Sequence, residues 1–175
     1  MKIYLIRHGE CPSNALKIYN YLDESLNEVG IKQANILKEQ IKNIDYDVII
    51  SSPIKRALET ANIINTQNKD ILIDENLRER ELGNLIGKPL DSIDRSIYWN
   101  YYNDVNFAGE ERIPDLCKRI NNFLDNLSLK PYKKVLIVAH SGVSKAFYCY
   151  FNGIPESGDL EKVGLKNTEI KEYDL

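Results

Sequence analysis

At 175 residues with a formal net charge of −3, the chain is sized for a single domain over 1–175 that buries about 70% of its unfolded surface. The near-neutral charge argues against a general polyanion-binding face and against nucleic acid as a partner, so any attraction for phosphate must be local. No apolar run is long enough to span a bilayer, and Met1-Lys2 leads into a brief strand and Arg7 rather than a signal peptide. Cys11, Cys117 and Cys149 are odd in number and lack paired metal-type spacing, which suits free thiols in a reducing cytoplasm.

In chain order, the run Ile3-Tyr4-Leu5-Ile6 predicts a buried strand that ends at Arg7-His8-Gly9-Glu10. Asn27-Glu28-Val29-Gly30 predicts a capped helix start, with Ile31, Ala34, Leu37 and Ile41 as its apolar face. Residues 46–50 form a second strand that ends at Ser51-Ser52-Pro53. Ser at the cap and Pro at the first helical position then predict a helix burying Ala57, Leu58, Ala61 and Ile64. A third strand over 71–73 runs into a polar loop, 76–87. The 91–106 stretch crowds Tyr98, Trp99, Tyr101 and Tyr102 and has no clear period. From about Arg112 a helix places Ile113, Leu116, Ile120, Phe123 and Leu127 on one face. A fourth strand, 135–138, precedes a helix with Val143, Ala146, Phe147 and Tyr150 inward, and alternation around 168–173 predicts a half-exposed edge strand.

The only two histidines each follow a predicted buried strand. Open α/β sheets bind ligands outside the carboxyl ends of their strands, so His8 and His140 are expected at that edge. Arg7 sets a permanent cation with phosphate-matching donors beside His8, on a turn tight enough to require Gly9. Neutral imidazole is a competent nucleophile toward phosphorus. The second strand end opens a helix whose N-terminus favours an anion, with Arg56 one turn in. Leu77-Arg78-Glu79-Arg80-Glu81-Leu82-Gly83 supplies a carboxylate to protonate a leaving oxygen, provided its pKa is raised. His140, when protonated, would donate to a phosphoryl oxygen. Each signal alone also has a bland explanation, such as a surface ion pair or a charged loop. Their order, each after its own strand, is what gives them weight.

With these motifs in place, the chain resembles the histidine phosphatase superfamily, the branch of cofactor-dependent phosphoglycerate mutases and small phosphatases. The likeness runs through Leu5-Ile6-Arg7-His8-Gly9-Glu10 with Asn14, the 26–30 helix opening, the 51–60 segment and the 77–83 loop. It continues through Gly109-Glu110-Glu111, Val138-Ala139-His140-Ser141-Gly142-Val143 and Asn167-Thr168. It implies a three-layer α/β/α sandwich with a mostly parallel sheet. It also implies phosphorylation of His8 within a pocket of Arg7, Arg56 and His140, with Asn14 at the rim and no metal or other cofactor. Glu79 falls at the family's acid position, with Glu81 as a possible substitute. Glu110 and Ser141 are further expected substrate contacts.

Mutases of this family are longer, with an arginine-bearing insertion after the acid loop and an extended tail, whereas about twenty residues separate Gly87 from Gly109 here. The expected activity is therefore hydrolysis of a small phosphorylated metabolite. Mutase-type transfer is the alternative, and a phosphate-binding module with little turnover is the non-enzymatic one. The 98–102 aromatics suit either core packing or stacking on a ring-bearing substrate such as α-ribazole phosphate. A small phosphohistidine-protein phosphatase is a further reading. Cys11 is expected near an arginine that lowers its pKa, so that alkylation slows turnover. Oligomeric state is not encoded in any of these patterns.

Overall fold

The protein is described by a computed structural model that covers residues 1–103 and 105–175. Asp104, inside the 91–106 stretch, lies outside the described residues. The apolar runs form strands β1 (Lys2–Arg7), β2 (Val48–Ser51), β3 (Ile71–Ile73) and β4 (Lys134–Ala139), closed by β5 (Ile170–Asp174). They lie in the order β3-β2-β4-β1-β5. The first four are parallel, and β5 runs antiparallel along β1 at the edge. β1 and β4 are direct neighbours, with Arg7 in register with Ala139. The next residue on each strand is a histidine, so the register alone brings His8 and His140 side by side.

Pleating sends alternate residues to opposite faces. Ile3, Leu5, Val135 and Ile137 enter one core with Leu116, Ile120 and Phe147, from helices α5 (Ile113–Ser128) and α6 (Ser141–Asn152). Tyr4, Ile6, Leu136 and Val138 enter the other with Leu37, Ala57 and Ala61, from α2 (Glu28–Ile41) and α3 (Lys55–Ile64), while the short helix α1 (Pro12–Leu16) follows β1. Helices on both faces of a mostly parallel sheet make the expected three layers. Each fully buried Leu, Ile or Phe side chain contributes about 1.5–3 kcal/mol.

At two helix starts the local expectations change. Asn27 does cap α2, accepting from Gly30 N–H at 2.8 Å, but Ile31 is 45% exposed, and Gly30 takes its place on the buried face. The helix after β2 starts later than the Ser-Pro signal suggests, with Ile54 at the cap. Ser52 instead accepts from Ile54 N–H at 3.3 Å and bonds His140. That hydroxyl is engaged by the site, so capping moves downstream. Among the described residues of the aperiodic stretch, Arg95–Tyr98 forms the short helix α4.

Candidate active site

The strand ends place the site's residues in turn. After β1, His8 is 2% exposed, and its Nδ1 lies 2.7 Å from the Gly9 carbonyl. A carbonyl can only accept, so Nδ1 carries the proton and Nε2 keeps its lone pair. Arg56, the second residue of α3 and 1% exposed, donates through Nε to that Nε2 at 3.1 Å and through Nη1 to the Tyr21 carbonyl at 2.9 Å. After β4, the His140 ring lies 5.1 Å from the His8 ring, centroid to centroid. His140 Nε2 is 2.8 Å from Ser52 Oγ, and its buried Nδ1 has no partner among the protein atoms. Arg7 donates to the Leu165 carbonyl at 2.9 Å, while its buried Nε is unpaired.

The site is strongly cationic and buried. Burial first, then Arg56 and Arg7, holds the His8 pKa well below the usual histidine value. Burial, then Arg56 and His8, does the same for His140. Both imidazoles are therefore neutral at pH 7, and the expected protonated His140 is corrected. Its neutral ring can still donate from Nδ1 when Nε2 accepts from Ser52.

Gly9 is required for a different reason from the one expected. Its φ is not positive, but a Cβ there would meet the Gly30 carbonyl oxygen at 2.6 Å. The His8 turn lies against the start of α2, and glycine on both sides permits it. Gly9 N–H donates to Thr60 Oγ1 at 3.0 Å, and Asn167 Nδ2 donates to the His8 carbonyl at 2.9 Å. Thr60, Asn167 and Ser52 thus brace the histidines, although the sequence pattern suggested only a helix cap for Ser52 and no role for Thr60 or Asn167. Thr60 and Asn167 lie inside segments that matched, without a chemistry of their own to single them out.

A cleft of about 170 Å³ opens beside these residues, lined in part by Arg7, Asn14, Glu79, Ser141, Arg95 and Trp99. Glu79 Oε1 accepts from Gly142 N–H and Arg80 N–H, each at 2.9 Å, which aims the carboxylate along the cleft wall. Glu81 is exposed and lines only a neighbouring groove that Glu79 also borders, whereas Glu79 alone of the two lines this cleft. Asn14 lies at the rim, with Oδ1 accepting from Asn167 Nδ2 at 3.2 Å.

Two expectations fail. Glu110 is not in this cleft; it is 4% exposed, and its carboxylate accepts from Phe107 N–H at 3.1 Å and Ala108 N–H at 2.8 Å. It shapes its own turn. Cys11 is fully buried beside Asn14 and Asn20, and burial pushes its thiol up to about 11, overriding the arginine. Among the described residues no three His, Cys, Asp or Glu side chains converge as metal ligands.

The histidine phosphatase superfamily (branch 1) model matches residues 3–175. The chain is 34% identical to the Bacillus subtilis "Uncharacterized phosphatase PhoE" over 176 residues, covering 97% of this chain and 89% of that one. Among solved structures, Bacillus stearothermophilus YhfR superposes with a TM-score of 0.86 at 26% identity, covering 99% and 91% of the two chains. Entamoeba histolytica phosphoserine phosphatase in complex with 3-phosphoglyceric acid gives 0.81 at 30% identity, covering 98% and 89%. Sheet order, strand-end histidines and these likenesses agree, and the chain belongs to the histidine phosphatase superfamily.

Proposed function

We propose that the protein is a metal-independent phosphatase that hydrolyses small phosphomonoesters through a phosphohistidine on His8 Nε2. The observation that carries this reading is the His8 geometry: Nδ1 is committed to Gly9, and Nε2 is an unprotonated lone pair inside a ring of Arg7, Arg56 and His140.

Arg56 Nε occupies Nε2 through one hydrogen bond. A phosphoryl oxygen is the stronger acceptor, so Arg56 moves its hydrogen bond to substrate and uncovers the nucleophile. Nε2 attacks phosphorus in line, the P–O ester bond breaks, and Glu79 delivers a proton to the departing alkoxide. Glu79 Oε2 has only a 3.3 Å contact to Gly142 N–H, which leaves it as the oxygen to carry that proton. Arg7, Arg56 and His140 Nδ1 spread the charge of the equatorial oxygens. Water activated by Glu79 then cleaves the N–P bond, releasing phosphate and restoring neutral His8. The three unpaired cysteines suit a reducing cytoplasm.

Turnover of p-nitrophenyl phosphate tests the reading. It is expected to survive EDTA and to vanish in His8→Ala. Acid quench during turnover should trap an acid-labile, alkali-stable phosphate on the wild type alone. Tight phosphate binding without hydrolysis of any phosphomonoester would sink the proposal. Transfer of the trapped phosphoryl group to an added phosphoglycerate faster than to water would replace it with a mutase.

A further inference from the structure

Resting on the phosphatase function proposed above, we propose that Arg95 forms a second anion subsite and that the preferred substrate is a small phosphomonoester bearing a carboxylate. Arg95 lines the same cleft as Arg7, Glu79 and Ser141, so two of the charged side chains along its wall are arginines. Its Nε donates to Glu161 at 3.0 Å, and the side chains of the pair are 32% and 30% exposed. Glu161 does not line the cleft. It holds the guanidinium from behind by one edge, leaving the terminal nitrogens to fork a planar oxyanion.

The surroundings of Arg95 offer further donors. Tyr19 shares the cleft wall, lies against Arg95, and its buried hydroxyl has no well-formed bond among the protein atoms. The Trp99 indole N–H, a donor only, is likewise buried and unpaired.

Size and ring contacts point the same way. A cleft of about 170 Å³ that already includes Arg7 and Glu79 suits a compact substrate. Stacking on an aromatic substrate, an option left open by the sequence, is not served by these side chains. Arg80 and Lys145 already lie over the Trp99 ring, at 5.0 and 4.7 Å from its centroid. The Tyr98 ring carries Arg80 at 4.1 Å, and Tyr101 and Tyr102 pack edge to face on each other outside the cleft.

Matched substrate pairs test this directly: O-phosphoserine against O-phosphoethanolamine, and 3-phosphoglycerate against glycerol 3-phosphate. Within each pair, kcat/KM for the carboxylate member is expected to be about 10- to 100-fold higher. Arg95→Gln should collapse that ratio toward one, and Arg95→Lys should retain part of it. A wild-type ratio near one, or a ratio unchanged in Arg95→Gln, overturns the subsite while His8-dependent turnover still stands. A preference for nucleoside monophosphates over both pairs overturns it as well. Absence of His8-dependent turnover on every phosphomonoester overturns the phosphatase function itself.

Discussion

Glu79 illustrates how much one residue's role depends on which of its atoms are already committed. Oε1 takes two backbone N–H bonds, and Oε2 is left for proton transfer. Glu79→Gln preserves the shape but has no proton to give. It should therefore lower kcat by about 10²–10⁴-fold for an alkyl phosphate, and far less for p-nitrophenyl phosphate, whose leaving group needs no acid. Equal losses on both substrates would remove Glu79 from the acid role. Cys11 teaches the opposite lesson, since burial raises its thiol to about 11 despite the nearby Arg56. In native protein at pH 7.5, iodoacetamide should label half-exposed Cys149 first and leave Cys11 untouched until denaturant is added. Peptide mapping of the time course decides this.

At the scale of elements, the N-termini of α2 and α6 are pressed against the loops that carry His8 and Glu79, and glycine at each contact allows the approach. A Cβ on Gly142 would stand 2.3 Å from Glu79 Oε1, the end of a flexible side chain. One on Gly30 would stand 2.0 Å from the Glu10 backbone carbonyl. Gly142→Ala should therefore reduce kcat with little loss of stability. Gly30→Ala should cost about 1–3 kcal/mol in urea unfolding and also disturb the His8 turn. Similar stability losses in the two variants would contradict this distinction. The 160–165 segment is the other shared support. Lys145 Nζ donates to the carbonyls of Leu160 and Glu161, Ser144 Oγ accepts from Leu165 N–H, and the Leu165 carbonyl holds Arg7.

For the whole molecule, gathering this many buried cations and neutral imidazoles carries a pH signature. His8 and His140 titrate well below 6.5 when folded and near it when unfolded. The unfolded chain binds more protons in that window, so stability falls as pH drops below about 6.5. Lys145 follows the same sign at higher pH. Burial first, then Arg95, lowers it from 10.5 to about 7, so its contribution rises between those values. The midpoint of thermal unfolding should climb from pH 5 to 6.5 and again from pH 7 toward 9, above which the raised Cys11 thiol acts with the opposite sign. Lys145→Met should flatten the second rise only. A flat profile in the wild type would contradict the buried titrations.

The sequence by itself determined the parallel strands, the helices between them and the positions of Arg7, His8, Arg56 and His140, because apolar periodicity fixes elements and strand ends fix where loops begin. It also preferred Glu79 to Glu81 by register. Tertiary structure alone decided that Glu110 builds a turn, that Cys11 is sealed, and that Ser52, Thr60 and Asn167 brace the histidines. It also brought Arg95 into the cleft, from a stretch too aperiodic to place. Those outcomes depend on which polar atoms meet across distant segments once water has been excluded, and no local pattern of residues records such meetings.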